Sequence, residues 1–137
     1  FYSKIKKLPN VVLVSPSENN KDLIEKSIGV ITLTSTVGME AALLGKPVYV
    51  LGDVFYEYHP LCQKIRSFEE LREVVHRDLI QGRKVENLQL VNDQFVISYF
   101  KSSIPGDFME ALKSNDSNDY KEICKQIKNI FYKIKKT

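Results

Sequence analysis

The chain has 137 residues, 43% hydrophobic and 27% charged, which fits one globular domain and excludes a disordered, collagenous or membrane-embedded chain. No apolar run approaches the roughly 20 residues needed to cross a bilayer. The formal charge of +3 is unevenly held: residues 121–137 carry +5 and the rest −2, so a nucleic-acid-binding domain with a basic face spread over its fold is not expected.

Asn10–Pro16 (NVVLVSP) is a continuous apolar run bounded by turn formers, the pattern of a strand covered on both faces. Ser17, Glu18, Asn19 and Asn20 precede a helical stretch, Lys21–Ser27, closed by Gly29. Val30–Thr34 reads as a second strand. Ser35 and Thr36 stand at its end, and Val37–Leu44 is a helix ended by Gly45. A third buried strand, Val48–Leu51, stops at Gly52. Strand, helix, strand, helix, strand is the half-module of a doubly wound parallel sheet, so the fold class is α/β.

Beyond it, Asp53–Gln63 is an aromatic-rich loop and Lys64–Ser67 a short edge strand. Phe68–Ile80 has helical spacing, with Ser67 and Glu70 forming a capping box. Val85–Tyr99 reads as another helix, broken by Ser102–Gly106, and Ser114–Asn118 is a polar turn. Residues 118–136 form a basic amphipathic terminal helix with Ile123, Ile127, Ile130, Phe131 and Ile134 on one face. Its lysines either lie in water or meet an anionic membrane surface. The chain opens on Phe1 rather than methionine and reads as part of a longer protein. Cys62 and Cys124 lack CxxC spacing and read as free thiols of a reducing, cytoplasmic compartment.

In open α/β sheets, ligands bind beyond the carboxyl ends of the strands, which here present Ser15–Asn20, Ser35–Gly38 and Gly52–Tyr58. The middle segment puts two hydroxyls and a glycine at a helix N-terminus, where amide groups and the helix dipole favour phosphate. Gly38 lies in the first helical turn, where the absence of a Cβ suits close approach by a ligand or a neighbouring backbone. Glu40 cannot complete a capping box, because Val37 stands three residues before it. Its carboxylate either accepts hydrogen bonds from ribose hydroxyls or complements the dipole while Ser35 or Thr36 caps the helix. His59 and His76 read as structural or solvent-exposed; Tyr56 and Tyr58 either border the cleft or anchor their loop. Neither GxGxxG nor GxxxxGK[ST] is present, and no HExxH or metal-spaced cluster occurs, so no cofactor or metal is implied.

The run Thr34-Ser35-Thr36-Val37-Gly38-Met39-Glu40-Ala41-Ala42-Leu43-Leu44-Gly45-Lys46-Pro47-Val48, continued by Gly52-Asp53-Val54-Phe55-Tyr56, resembles the signature of the capsule polysaccharide biosynthesis family. The resemblance covers residues 10–56 and implies a Rossmann-like domain, the donor-binding half of a GT-B glycosyltransferase; some members resemble Kdo transferases with a CMP-activated donor. By that resemblance Ser35, Thr36 and Gly38 meet the phosphate of a CMP- or UDP-linked sugar, and Glu40 its ribose. Ser17, Glu18 and Asn20 then lie near the base. The family's upstream Lys/His-Pro element is missing from residues 1–9 (FYSKIKKLP), so the general base or nucleophile is expected from an N-terminal GT-B domain outside these residues. The implied partners are that domain and a polysaccharide or glycolipid acceptor, at the inner face of the membrane. A nucleotide-sugar epimerase-like domain and a non-catalytic binding module are the alternatives.

Overall fold

The structure, a computed structural model, describes residues 2–103 together with Lys121, Cys124 and Lys125. The chain falls into two units, residues 1–88 and 89–137. The first runs α1 (Tyr2–Ile5), α2 (Asn20–Lys26), β1 (Val30–Thr32), α3 (Val37–Leu43), β2 (Val48–Val50), β3 (Cys62–Lys64) and α4 (Phe68–Gln81). Helix α5 (Leu88–Ser102) lies in the second unit from its second residue on. Of the terminal helix expected over 118–136, only Lys121, Cys124 and Lys125 fall among the described residues, where they are helical and exposed.

The three strands form a parallel sheet in the order β1-β2-β3, with Val30 opposite Val48 and Val48 opposite Cys62. β2 is central and buried along its length, as a strand covered on both faces must be. Alternation turns Val48 and Val50 to one face and Tyr49 and Leu51 to the other. Helix α3 lies on the first face, packing on β1 and β2 with Gly38, Ala41 and Ala42 buried; these small side chains let its backbone approach the sheet. On the second face Tyr49 packs with Ile65 and with Val74, Leu71 and Val75 of α4.

Two polar ties hold these layers. Lys46, in the turn between α3 and β2, donates from Nζ to the carbonyls of Glu25 (2.7 Å) and Ser27 (2.8 Å), so a cation satisfies the exposed C-terminal end of α2. The Tyr49 hydroxyl donates to Asp78 Oδ2 of α4 at 3.0 Å, and Arg83 pairs with the same carboxylate at 2.8 Å. Helix α4 starts as its capping residues dictate: Ser67 Oγ accepts from the Glu70 amide at 3.1 Å. The Glu70 carboxylate, however, reaches past Ser67 to the Arg66 amide at 2.7 Å. Gly82, at φ 72°, ends it.

Several expectations need correction. Asn10–Pro16 is not a strand: Val11, Val12, Leu13 and Val14 are exposed, Val12 at 83%, and none pairs with the sheet. β-branched character favours a pleated surface only where a neighbouring strand supplies the hydrogen bonds, and here the edge of β1 is not joined. The βαβαβ unit expected over residues 10–51 therefore does not form: β1-α3-β2 is a single βαβ unit, and β3 follows β2 through a loop without an intervening helix. The edge strand lies at Cys62–Lys64, two residues before its expected start, because the ladder follows β2; the Ile65 amide still bonds the Val50 carbonyl at 2.8 Å. Val30–Thr34 shortens to Val30–Thr32. Helix α2 ends at Ser27, whose amide bonds the Ile24 carbonyl, so Gly29 is not its cap. Helix α5 begins three residues later than Val85, after Asn87 at φ 51°.

The Tyr49 phenol is pushed up from 10.0 to about 12, by burial first and by Asp78 second. Its raised value means the folded state holds the proton that the unfolded chain releases above pH 10, so this contribution is complete below 10 and is lost as pH rises through about 12. Urea midpoints compared between wild type and Tyr49→Phe are expected to converge across that interval. A constant difference from pH 9 to 12 would remove the ionisation from the account.

Candidate functional site

At the carboxyl end of β1 the chain turns through Leu33–Thr36 into α3. Thr32, the last residue of β1, is buried, and its Oγ1 accepts from the Ser35 amide at 3.1 Å. The carbonyl of Ser35 accepts from the Tyr56 hydroxyl at 2.5 Å. Tyr56 is 1% exposed and lies in the loop after β2, so two buried hydroxyls hold both backbone groups of an exposed serine. Burial pushes the Tyr56 phenol above its usual range. Gly52 adds a backbone tie, its amide reaching the Leu33 carbonyl at 3.0 Å.

Gly38 sits directly over this arrangement. A Cβ there would lie 2.6 Å from the Tyr56 hydroxyl oxygen, 2.9 Å from Cε2 of the same ring and 3.0 Å from Thr32 Cγ2. The glycine of the first helical turn therefore admits a buried tyrosine. The protein neighbour that approaches it is a side chain from below rather than a backbone.

The hydrogen bonding of the turn decides which groups remain for a ligand. Ser35 Oγ accepts from the Val37 amide at 3.3 Å, and the Gly38 amide bonds the Ser35 carbonyl at 3.1 Å. Those two amides are thus committed within the turn. Thr36 occupies the N-cap position in a helical conformation without a side-chain cap bond, so of the two cap candidates only Ser35 acts. Thr36 is exposed, and its hydroxyl has no partner among the described residues. Glu40 is exposed one turn further on, and among the described residues its carboxylate makes neither an ion pair nor a hydrogen bond.

Ser17, Glu18 and Asn20 are placed differently. Ser15 Oγ lies 2.7 Å from Ser17 Oγ and accepts the Ser17 amide, the Glu18 amide bonds the Ser15 carbonyl, and Asn20 is the first residue of α2 behind the true cap, Asn19. All three are exposed, and no hydrogen bond joins them to residues 35–40. With no strand beneath them, the sheet does not carry them to the site. Tyr58 is 82% exposed, whereas His59 is buried, its Nδ1 accepting the Leu61 amide at 3.2 Å; His76 is exposed on α4.

The third loop carries a charged cluster that the sequence reading did not single out. Lys64, at the end of β3, bonds Asp53 and lies 3.5 Å from Glu57 Oε2. It holds the Asp53 carboxyl below the usual carboxylate range. Only the position of Lys64 at a strand end could have marked it in advance. Cys62 is half-buried, its thiol pushed up to about 11 by desolvation, which makes it a poor nucleophile. No group of three or more His, Cys, Asp or Glu residues suited to a metal occurs among the described residues, and no described helix is long and apolar enough to cross a membrane. A cavity of about 570 Å³ opens elsewhere, beside the amino ends of β1 and β2, lined by Ile28, Ile31, Pro47, Tyr49, Leu79 and Arg83; none of the sequence-derived site residues lines it.

An open parallel sheet, with a hydroxyl-bearing turn and an exposed carboxylate beyond the carboxyl end of a strand, defines an α/β domain of the Rossmann-like kind. The family model for capsule polysaccharide biosynthesis proteins matches residues 1–91, well over half of the chain. The chain belongs to the capsule polysaccharide biosynthesis family, which places it in capsule synthesis. Neither the curated proteins nor the solved structures compared with the chain give a match.

The fit of Tyr56 beneath Gly38 has a direct consequence. Gly38→Ala is expected to destabilise the domain by about 1–3 kcal/mol, as overpacking does. Removing the nearest contact in Gly38→Ala/Tyr56→Phe should make the two effects less than additive in urea titrations. Strict additivity would show that the two residues do not meet.

Proposed function

We propose that this domain binds the nucleotide-sugar donor of a glycosyltransferase in capsule synthesis, as the C-terminal half of a GT-B architecture. The supporting observation is the exposed Glu40 carboxylate, unpaired among the described residues, one helical turn beyond the exposed Thr36. A phosphate needs hydrogen-bond donors, and a ribose offers two hydroxyls that a single carboxylate accepts together. Because the Val37 and Gly38 amides are already bonded, the Thr36 hydroxyl, with Ser35 beside it, is the principal phosphate donor. Catalysis is then electrostatic: these donors and the helix dipole stabilise the nucleotide phosphate as the bond to the sugar breaks.

The acid/base groups and the polysaccharide or glycolipid acceptor belong to a second domain facing this one, in the cytoplasm at the inner face of the membrane. Ser17, Glu18 and Asn20 have the weakest support as base contacts, since the sheet does not position them. The donor is CMP- or UDP-linked.

Calorimetric titration of the chain with CMP and with UDP is expected to show saturable binding of one of them. Glu40→Ala should weaken it about 10-fold or more, the size of a lost hydrogen bond to a charged group. No binding of either nucleotide at millimolar concentration would leave the non-catalytic module as the better account. A product assay on a two-domain protein separates a transferase from an epimerase.

A further inference from the structure

We infer that Tyr56 and Thr32 are positioning residues of the donor site, acting through Ser35 and touching no ligand themselves; the inference rests on the donor-binding reading above. Their hydroxyls grip the two backbone groups of one residue. The Ser35 amide donates to Thr32 Oγ1, and the Tyr56 hydroxyl donates to the Ser35 carbonyl.

Core packing alone does not account for these two hydroxyls. Both are buried, yet they bond the backbone of a residue that is itself exposed. Phenylalanine and valine of the same shape would fill the space without placing polar groups in the interior. The arrangement also requires glycine at 38, a poor helix residue, because any Cβ meets the Tyr56 ring. What it secures is the position of Ser35, and with it the direction in which Ser35 and Thr36 present their hydroxyls beyond β1. A residue held at both its amide and its carbonyl by buried hydroxyls has fewer ways to relax than one held at a single group, which is how a preorganised site is kept.

Tyr49 provides an internal control. Its hydroxyl is also part-buried and hydrogen-bonded, but it joins β2 to α4 through Asp78, away from residues 35–40. The test is calorimetric titration of the chain with CMP and UDP for wild type, Tyr56→Phe, Thr32→Val, Thr32→Ser and Tyr49→Phe, with the melting temperature of each. Tyr56→Phe and Thr32→Val are each expected to weaken nucleotide binding about 3- to 10-fold. Thr32→Ser, which keeps the hydroxyl, should restore it, and Tyr49→Phe should lower the melting temperature without changing affinity. Wild-type affinity in both Tyr56→Phe and Thr32→Val would overturn the positioning role while leaving donor binding intact. Equal weakening by Tyr49→Phe would overturn it as well, since general loosening would then suffice. If wild type binds neither nucleotide, the donor-binding reading fails and the positioning role fails with it. If Tyr56→Phe does not fold, Thr32→Val against Thr32→Ser decides alone.

Discussion

The bond from the Tyr56 hydroxyl to the Ser35 carbonyl joins the loop after β2 to the turn after β1, and much of the upper end of the sheet is arranged around it. The Tyr56 ring lies under α3 at position 38, so the helix must carry glycine there, and the buried Ala41 and Ala42 let it reach the sheet. A hydrogen bond of this kind contributes only about 0.5–1.5 kcal/mol net, but a buried phenol left without a partner costs about 1–3 kcal/mol. That asymmetry makes the pairing of Tyr56 with Ser35 obligatory once the ring is buried. The turn, the helix and the loop are consequently fixed together.

The two ends of the sheet differ in character. At the carboxyl ends lie exposed Ser35, Thr36 and Glu40, with Asp53 and Lys64 on the neighbouring loop and strand. At the amino ends lies a cavity beside Ile28, Ile31 and Leu79, with Lys46, Asp78, Arg83 and Lys84 also in its wall. Its openness follows from topology: β1 is the sheet edge, and the apolar run at Val11–Val14 does not cover it. Polar, hydrogen-bonding ligands suit the first end, and the direction of the strands makes that end the usual binding side of a parallel sheet.

How much could be read in the chain beforehand varied with how local each determinant was. Helix α4 was legible because Ser67 and Glu70 mark its start within four residues and its apolar spacing is regular. Strand β2 was legible because Val48–Val50 is apolar on both faces, as its burial requires. Val11–Val14 carries the same signature without becoming a strand, since pairing depends on a neighbour that composition does not reveal. Cys62–Lys64 fails in the opposite direction: an ordinary polar sequence joins the ladder because β2 offers it an edge. In the candidate site, Gly38 stood out for the right physical reason, the absence of a Cβ, but its neighbour is Tyr56, eighteen residues on. Thr32 and Lys64 carried no local mark beyond their place at strand ends.

The central claim, that a nucleotide is received where β1 ends, is most directly tested by mapping amide chemical-shift changes in the 15N-labelled chain as CMP or UDP is added. The account predicts that the largest changes fall on Ser35, Thr36 and Met39–Ala41, with smaller ones on Gly52 and Asp53. Changes centred instead on Ile28, Ile31 and Arg83 would move the ligand to the opposite end of the sheet and contradict it.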